Sequence, residues 1–378
     1  MSILIFIIIL GILLISHEGG HLLVAKMNGI HVSEFMIGMG PQIAHFEKGG
    51  TVYSLRVLPI GGACVFEDDL EQENMIKGTA SQNDALPQTE TSSQTTAEES
   101  AVSDRAGLKE SHRFNDASLG ARFATVVAGP LANIVLAFIF SVFIVNFSMT
   151  DLPVVVSVMD GYPAAEAGIE AGDTIISVNG ERVYLYREVQ VISQLNNGKE
   201  YTIVVERDGE RLTYTFSPMY DEEEGRYYMG ITGGEYVQFT GLKALEYAVY
   251  EVRYAATSVY KSLLQIIQGQ VQSEDVAGVV GMANLVSETY DEVKTYGWLS
   301  TLLTMMNLAA LLSVNLGVIN LLPIPALDGG RILLMAVELV RGKPVPPEKE
   351  GIANTIGFVL LMVLMVFLFF NDIKNIFF

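Results

Sequence analysis

From Ser2 to Ala25 the chain is almost wholly apolar, and near the end of that run stands His17-Glu18-Gly19-Gly20-His21. A helix rises about 1.5 Å per residue, so about 20 apolar residues cross the roughly 30 Å hydrocarbon core of a bilayer. Three further stretches meet this requirement, at residues 123–147, 299–322 and 355–370. The last is short and needs its flanks to complete a crossing. With 50% hydrophobic and 17% charged residues and a mean hydropathy of +0.36, the chain is too apolar for an ordinary soluble protein. It is also too charged to lie wholly in a membrane. The expected fold is a polytopic α-helical membrane protein with four transmembrane helices.

The segments between the spans differ in kind. Residues 26–66 read as a membrane-associated β-hairpin loop, in which residues 36–66 alternate glycine with apolar and β-forming side chains and turn at Gly49-Gly50. Residues 67–122 form an acidic, low-complexity loop, rich in Ser, Thr, Gln and Glu up to residue 118, with few apolar anchors to order it. Residues 152–218 have the strand–turn punctuation of a separate aqueous α+β module. Its turns fall at Asn179-Gly180 and Asp208-Gly209. Residues 241–295 hold apolar side chains at helical spacing among charges and predict an amphipathic region on the membrane surface. The remaining segments are the spans, taken as 1–25, 123–147, 299–330 and 355–371.

Basic residues near span ends set orientation. Lys26, Arg122, Arg331, Arg341, Lys343 and Lys349 flank the cytoplasmic ends on this rule, which leaves both termini and the 152–218 module outside. A cleaved signal peptide fits poorly, because no basic n-region or small-x-small site is present. The net charge of −20 offers no basic face to nucleic acid. Cys64 is the sole cysteine, which excludes an intrachain disulfide and a cysteine-based zinc site. Nothing in the residues specifies an oligomeric state.

Polar groups at membrane depth are costly and by default mark function. On a helix, HExxH places two imidazoles at i and i+4 on one face with a glutamate beside them. His17 and His21 are thus candidate Zn2+ ligands, and Glu18 is the candidate catalytic base that takes a proton from water. Gly19 and Gly20 weaken the helix by about 1 kcal/mol each relative to Ala, and their small size can clear room for a substrate backbone. A third ligand is needed. His31, Glu34, His45 and Glu47 lie nearby in sequence, in a region of strand and turn character. Asp328 is the stronger candidate, because it follows the proline-broken end of the third span at the same expected membrane depth. The competing role for Asp328 is a helix N-cap for the residues from Arg331 onward.

These motifs resemble those of bacterial site-2 proteases, the RseP/RasP-type intramembrane zinc metalloproteases. The matching strings are His17-Glu18-Gly19-Gly20-His21, Gly129-Pro130-Leu131-Ala132-Asn133, and Asn320 through Pro323 and Pro325 to Asp328-Gly329-Gly330. The resemblance implies zinc at His17, His21 and Asp328, Glu18 as general base, and a substrate-positioning role for Asn320. It implies that the 36–66 hairpin presents the substrate as a strand; since a helical substrate must be locally unwound, a β-edge near residues 50–60 is expected to hold it extended. The 152–218 module resembles a PDZ domain and is expected outside the cytoplasm, as a size filter or a peptide-docking site. Gly19 departs from the bulkier residue usual in the family, and the acidic 67–118 stretch has no counterpart in it. The implied partners are the lipid bilayer and transmembrane proteins or peptides, pre-trimmed anti-sigma-factor stubs or remnant signal peptides among them.

Two other readings remain at this point. A metal-free membrane scaffold would use the PDZ-like module to recruit partners and would hold no stoichiometric zinc. A membrane-tethered protease with a cytosolic site would need a downstream glutamate in a soluble helical domain, which the 67–118 composition cannot build.

Overall fold

The computed structural model describes residues 2–67, 112–222, 225–271 and 276–377. In chain order the elements are α1 (Ser2–Met27), β1 (Val32–Lys48), β2 (Thr51–Phe66), α2 (Leu119–Phe147), β3 (Thr150–Val158), α3 (Pro163–Ala167), β4 (Thr174–Val178) and β5 (Glu181–Arg182). There follow α4 (Tyr186–Leu195), β6 (Tyr201–Arg207), β7 (Glu210–Phe216), β8 (Met219–Asp221), β9 (Arg226–Tyr228) and β10 (Ile231–Val237). The chain continues with α5 (Leu242–Ile267), α6 (Val279–Val293), α7 (Trp298–Asn320), α8 (Asp328–Arg341) and α9 (Pro347–Phe377). Among the described residues, α1, α2, α7 and α9 are long and apolar enough to cross a membrane. The fourth is longer than its apolar stretch suggested, since polar residues at both ends extend it to 31 residues. The chain divides into two compact units.

The first unit holds α1, the β1–β2 hairpin, the first half of α2, α6, α8 and α9. Gly49 and Gly50, both at positive φ, make the expected hairpin turn. The hairpin is more folded than a simple ribbon. Glu34 to Ile37 pair with Val65 to Gly62 on one side and with Val52 to Leu55, in ascending order, on the other. Each strand therefore doubles back, with Gly38, Gly40 and Gly61 at positive φ near the reversals. Met39, Ile43, Phe46, Val57 and Leu58 stay exposed, as suits a hairpin in contact with lipid.

Most of the acidic insert, residues 68–111, lies outside the described residues. Its end does not match the expected loose loop. His112 exchanges backbone hydrogen bonds with Gly29 and His31, and Phe114 stacks on Phe66 at 4.7 Å in a cluster with Ala25, Val32 and Val126. One aromatic anchor outweighs the polar composition around it.

The second unit contains the expected α+β module. Its sheet runs β10-β3-β4-β6-β7, with β5 on β4. Val155, Ile175, Val178, Tyr201, Ile203 and Val205 form its core with the inner faces of α3 and α4. The β6–β7 hairpin turns at Asp208-Gly209 as expected, both at positive φ. The module does not end at 218, because β10 pairs with β3 from Ile231 to Val237.

The expected surface-lying 241–295 region is two separate helices, and α5 packs on the module. Arg187 bridges Asp151 and Glu251, Arg253 bonds Glu188, and Lys261 reaches Glu181 at 2.6 Å. Tyr184 stacks on Tyr250 with centroids 4.0 Å apart. Glu251, Arg253 and Lys261 of α5 are thus paired with the module, while Lys243 pairs with Glu246 within the helix.

Candidate active site

On α1, His17, Glu18 and His21 are all buried, with 6–8% of each residue exposed. The i and i+4 spacing brings the two rings to 4.9 Å between centroids, edge to face. Asp328 meets them from α8. Its Oδ2 lies 3.2 Å from Nε2 of His17 and 3.4 Å from Nε2 of His21. Ligand atoms of the three residues all fall within 4.8 Å of one another, and among the described residues no other such group forms.

Asp328 is the first residue of α8, and Leu327 holds the N-cap position without a side-chain bond. The aspartate is therefore turned to the imidazoles and does not cap its own helix. The third span also ends earlier than expected, at Asn320, so the Leu327-Asp328-Gly329 motif opens a new helix. The intervening turn is tight. Ala326 sits at φ 73°, uncommon for a residue with a side chain, and its N–H donates to Asn354 Oδ1 of α9 at 3.3 Å. A Cβ on Gly329 would fall 2.1 Å from the Leu322 carbonyl oxygen, so only glycine lets α8 start there.

The other candidate ligands are elsewhere. Glu34 accepts hydrogen bonds from Ser54 and from Arg56, the latter at 3.0 Å. His45 and Glu47 are exposed on the second half of β1, and His31 lies beside Gly50.

One face of α2 supports the two histidines. The Thr125 carbonyl oxygen accepts from His21 Nδ1–H at 2.8 Å, and the Asn133 amide lies 3.4 Å from His17 Nδ1. Between them, a Cβ on Gly129 would strike His21 Nε2 at 2.2 Å. On the α1 side, a Cβ on Gly20 would meet the Ala128 carbonyl oxygen at 2.3 Å, whereas one on Gly19 would meet nothing within 4 Å. Gly20 is thus a helix-contact residue, and only Gly19 leaves open space beside the histidines. The sequence motif at 129–133 was visible, but what each residue touches depends on the α1–α2 crossing.

A cavity of about 610 Å3 opens on this cluster, lined by His17, Glu18, His21, Asn320, Asp328 and residues 61–66. Asn320 Nδ2 stands 3.5 Å from His17 Nε2. The Cys64 backbone N–H donates to the Glu18 carboxyl group. The strand at the cavity is therefore 61–66, not the expected 50–60, which lies farther inside the folded-back sheet.

The donor set suits a zinc ion. Two Nε2 atoms and one carboxylate oxygen converge, and the buried Asp328 Oδ2 has no hydrogen-bond partner. Such an oxygen is costly unless a cation meets it.

Comparison with known proteins agrees with this chemistry. The model of peptidase family M50 matches residues 5–364. A probable protease, eep, of Enterococcus faecalis is 34% identical over 429 aligned positions, covering 100% of both chains. The zinc metalloprotease RasP of Shouchella clausii is 34% identical over 427 positions, covering 100% of this chain and 99% of the relative. The regulator of sigma-W protease RasP of Bacillus subtilis is 31% identical over 425 positions, with the same coverage. Among solved structures, the PDZ domain of an SdrC-like protein from Listeria monocytogenes is 24% identical, covers 22% of this chain and 87% of its own, and has a TM-score of 0.20. Full-length likeness to zinc metalloproteases sets aside the metal-free scaffold, and the chain belongs to peptidase family M50 as a zinc metalloprotease of the site-2 type.

Proposed function

We propose that this protein hydrolyses peptide bonds in the transmembrane segments of membrane proteins already shortened by another protease, with His17, His21 and Asp328 as the zinc ligands. The convergence of these three side chains beside Glu18, in a helix apolar enough to span a bilayer, carries the reading. Anti-sigma-factor stubs or remnant signal peptides fit as substrates, and the B. subtilis relative is named for sigma-W regulation. The basic residues at the span ends support a cell-membrane protein with its catalytic end toward the cytoplasm. Both termini and the PDZ-like module then lie outside.

Bound zinc would polarise the scissile carbonyl and lower the pKa of its water from about 15.7 toward 7. Glu18 takes the water proton as general base and returns it to the leaving nitrogen. The Cys64 N–H on its carboxyl group holds Glu18 against the cavity. Asn320, beside His17 Nε2, orients the substrate at the reacting carbon. A helical substrate hides its carbonyls in i to i−4 bonds and must unwind before attack. Residues 61–66, outermost in the register of the folded hairpin, hold the unwound segment extended by edge pairing.

Glu18→Gln tests the assignment. The purified variant should keep one zinc per chain by elemental analysis while its cleavage of a transmembrane stub falls by at least about 100-fold. Near-normal cleavage would remove Glu18 from the base role.

A further inference from the structure

We infer that Asn133 is the positioning residue for His17, holding its ring by accepting a hydrogen bond from Nδ1–H through the amide oxygen. The inference rests on His17 as a zinc ligand through Nε2. His21 shows what the site requires. Its Nδ1 faces the Thr125 carbonyl oxygen at 2.8 Å, and a carbonyl can only accept. Nδ1 of His21 therefore carries the proton, and the Nε2 lone pair is left for the cation that would sit between it and Asp328 Oδ2, 3.4 Å away.

His17 presents Nε2 to the same carboxylate oxygen at 3.2 Å, so as a zinc ligand it needs the same tautomer. Its Nδ1–H then requires an acceptor, and the atom placed 3.4 Å away is Nδ2 of Asn133, which reversal of the amide exchanges for Oδ1. Amide oxygen and nitrogen are equal in shape, and their assignment follows from the bonding around them. With the NH2 toward the ring, two donors would face each other. With the oxygen toward it, the bond closes. Asn133 is fully buried, where an imidazole N–H left without an acceptor is costly. It lies eight residues after Thr125 in α2, two turns along the same helix face. One helix thus orients both imidazoles, His21 through its backbone and His17 through a side chain. Outer partners of this kind fix ring orientation and raise ligand basicity, and losing one costs about 10–100-fold in metal affinity.

The test is zinc affinity of the full-length protein in detergent, measured by competition with a chromogenic chelator. Asn133→Leu should weaken zinc binding about 10–100-fold while still reaching one zinc per chain at saturation. Asn133→Asp, which can accept and cannot donate, should bind at least as tightly as wild type. A visible spectrum of the cobalt(II)-loaded Asn133→Leu protein reads the coordination in whatever fraction folds, and it should shift from that of wild type. Wild-type affinity and spectrum in the leucine variant would overturn the inference. So would an aspartate variant that folds yet binds as weakly as the leucine one. His17→Ala separates this from the reading beneath it: full zinc retention there would refute the ligand assignment itself, whatever Asn133 does.

Discussion

Asp328 and Glu34 are both acidic residues within reach of an argument for the third ligand, and their surroundings separate them. Glu34 has neutral and cationic partners in Ser54 and Arg56, which satisfy it within the hairpin. Asp328 has a buried oxygen facing two imidazoles and nothing else to bond. Asp328→Asn should therefore lower zinc affinity by more than the roughly 10–100-fold that loss of an outer partner costs. Glu34→Gln and Glu47→Gln should leave it unchanged. Elemental analysis of the three purified proteins checks this, and loss confined to a glutamate variant would move the ligand to the hairpin. His17, Glu18 and His21 were legible from spacing alone, because i and i+4 share a helix face whatever surrounds the helix. Gly20 was not, since its role is set by the Ala128 carbonyl on another helix.

At the scale of elements, strand alternation and turn residues located β4, β6 and β7 and both of their turns. They missed β10, whose Thr232-Gly233-Gly234 stretch lacks alternation and becomes a strand only by pairing with β3. The same sheet carries a testable ion pair. Burial works against the Asp173 carboxylate, yet the Arg207 guanidinium, bonded to both its oxygens at 2.6 and 2.8 Å, outweighs this. With help from the Glu170 N–H, it holds the Asp173 pKa below the ordinary aspartate range. A carboxylate whose pKa is lowered by folding adds stability above its unfolded value, here near 3.8, and loses it as pH falls through the folded one. Thermal unfolding of a fragment spanning residues 150–267 should show wild type losing stability below about pH 4. Asp173→Asn should be less stable at pH 7 by about 1.5–3 kcal/mol and flatter across the acid range. Parallel pH profiles for the two proteins would remove the pair from the account of module stability.

For the whole molecule, the acidic stretch of residues 68–111 separates the hairpin from α2. Its two ends meet in space, because His112 bonds to Gly29 and His31 while Phe66 and Phe114 stack. Excising residues 68–111 with a short flexible bridge therefore closes a loop whose ends are already adjacent, at small entropic cost. The shortened protein should bind zinc as wild type does and cleave a trimmed stub within about twofold of its rate. Loss of zinc on excision would make the insert part of the site's architecture. The cut must stop before His112, since Phe114 belongs to the cluster beneath β2 and α2.

By itself the sequence determined the four apolar helices, the paired histidines with their glutamate, the hairpin turn and most of the module's strands. All of these rest on local periods and turn preferences that neighbouring residues impose on one another. Only the tertiary structure decided that Asp328 turns to the histidines, that Thr125 and Asn133 face their outer nitrogens, and that residues 61–66 reach the cavity. Those contacts depend on how closely α1, α2 and α8 approach. The Ala128 carbonyl oxygen, where Gly20 has no Cβ, sets the α1–α2 approach, the Leu322 carbonyl oxygen at Gly329 sets where α8 starts, and no local pattern encodes either distance.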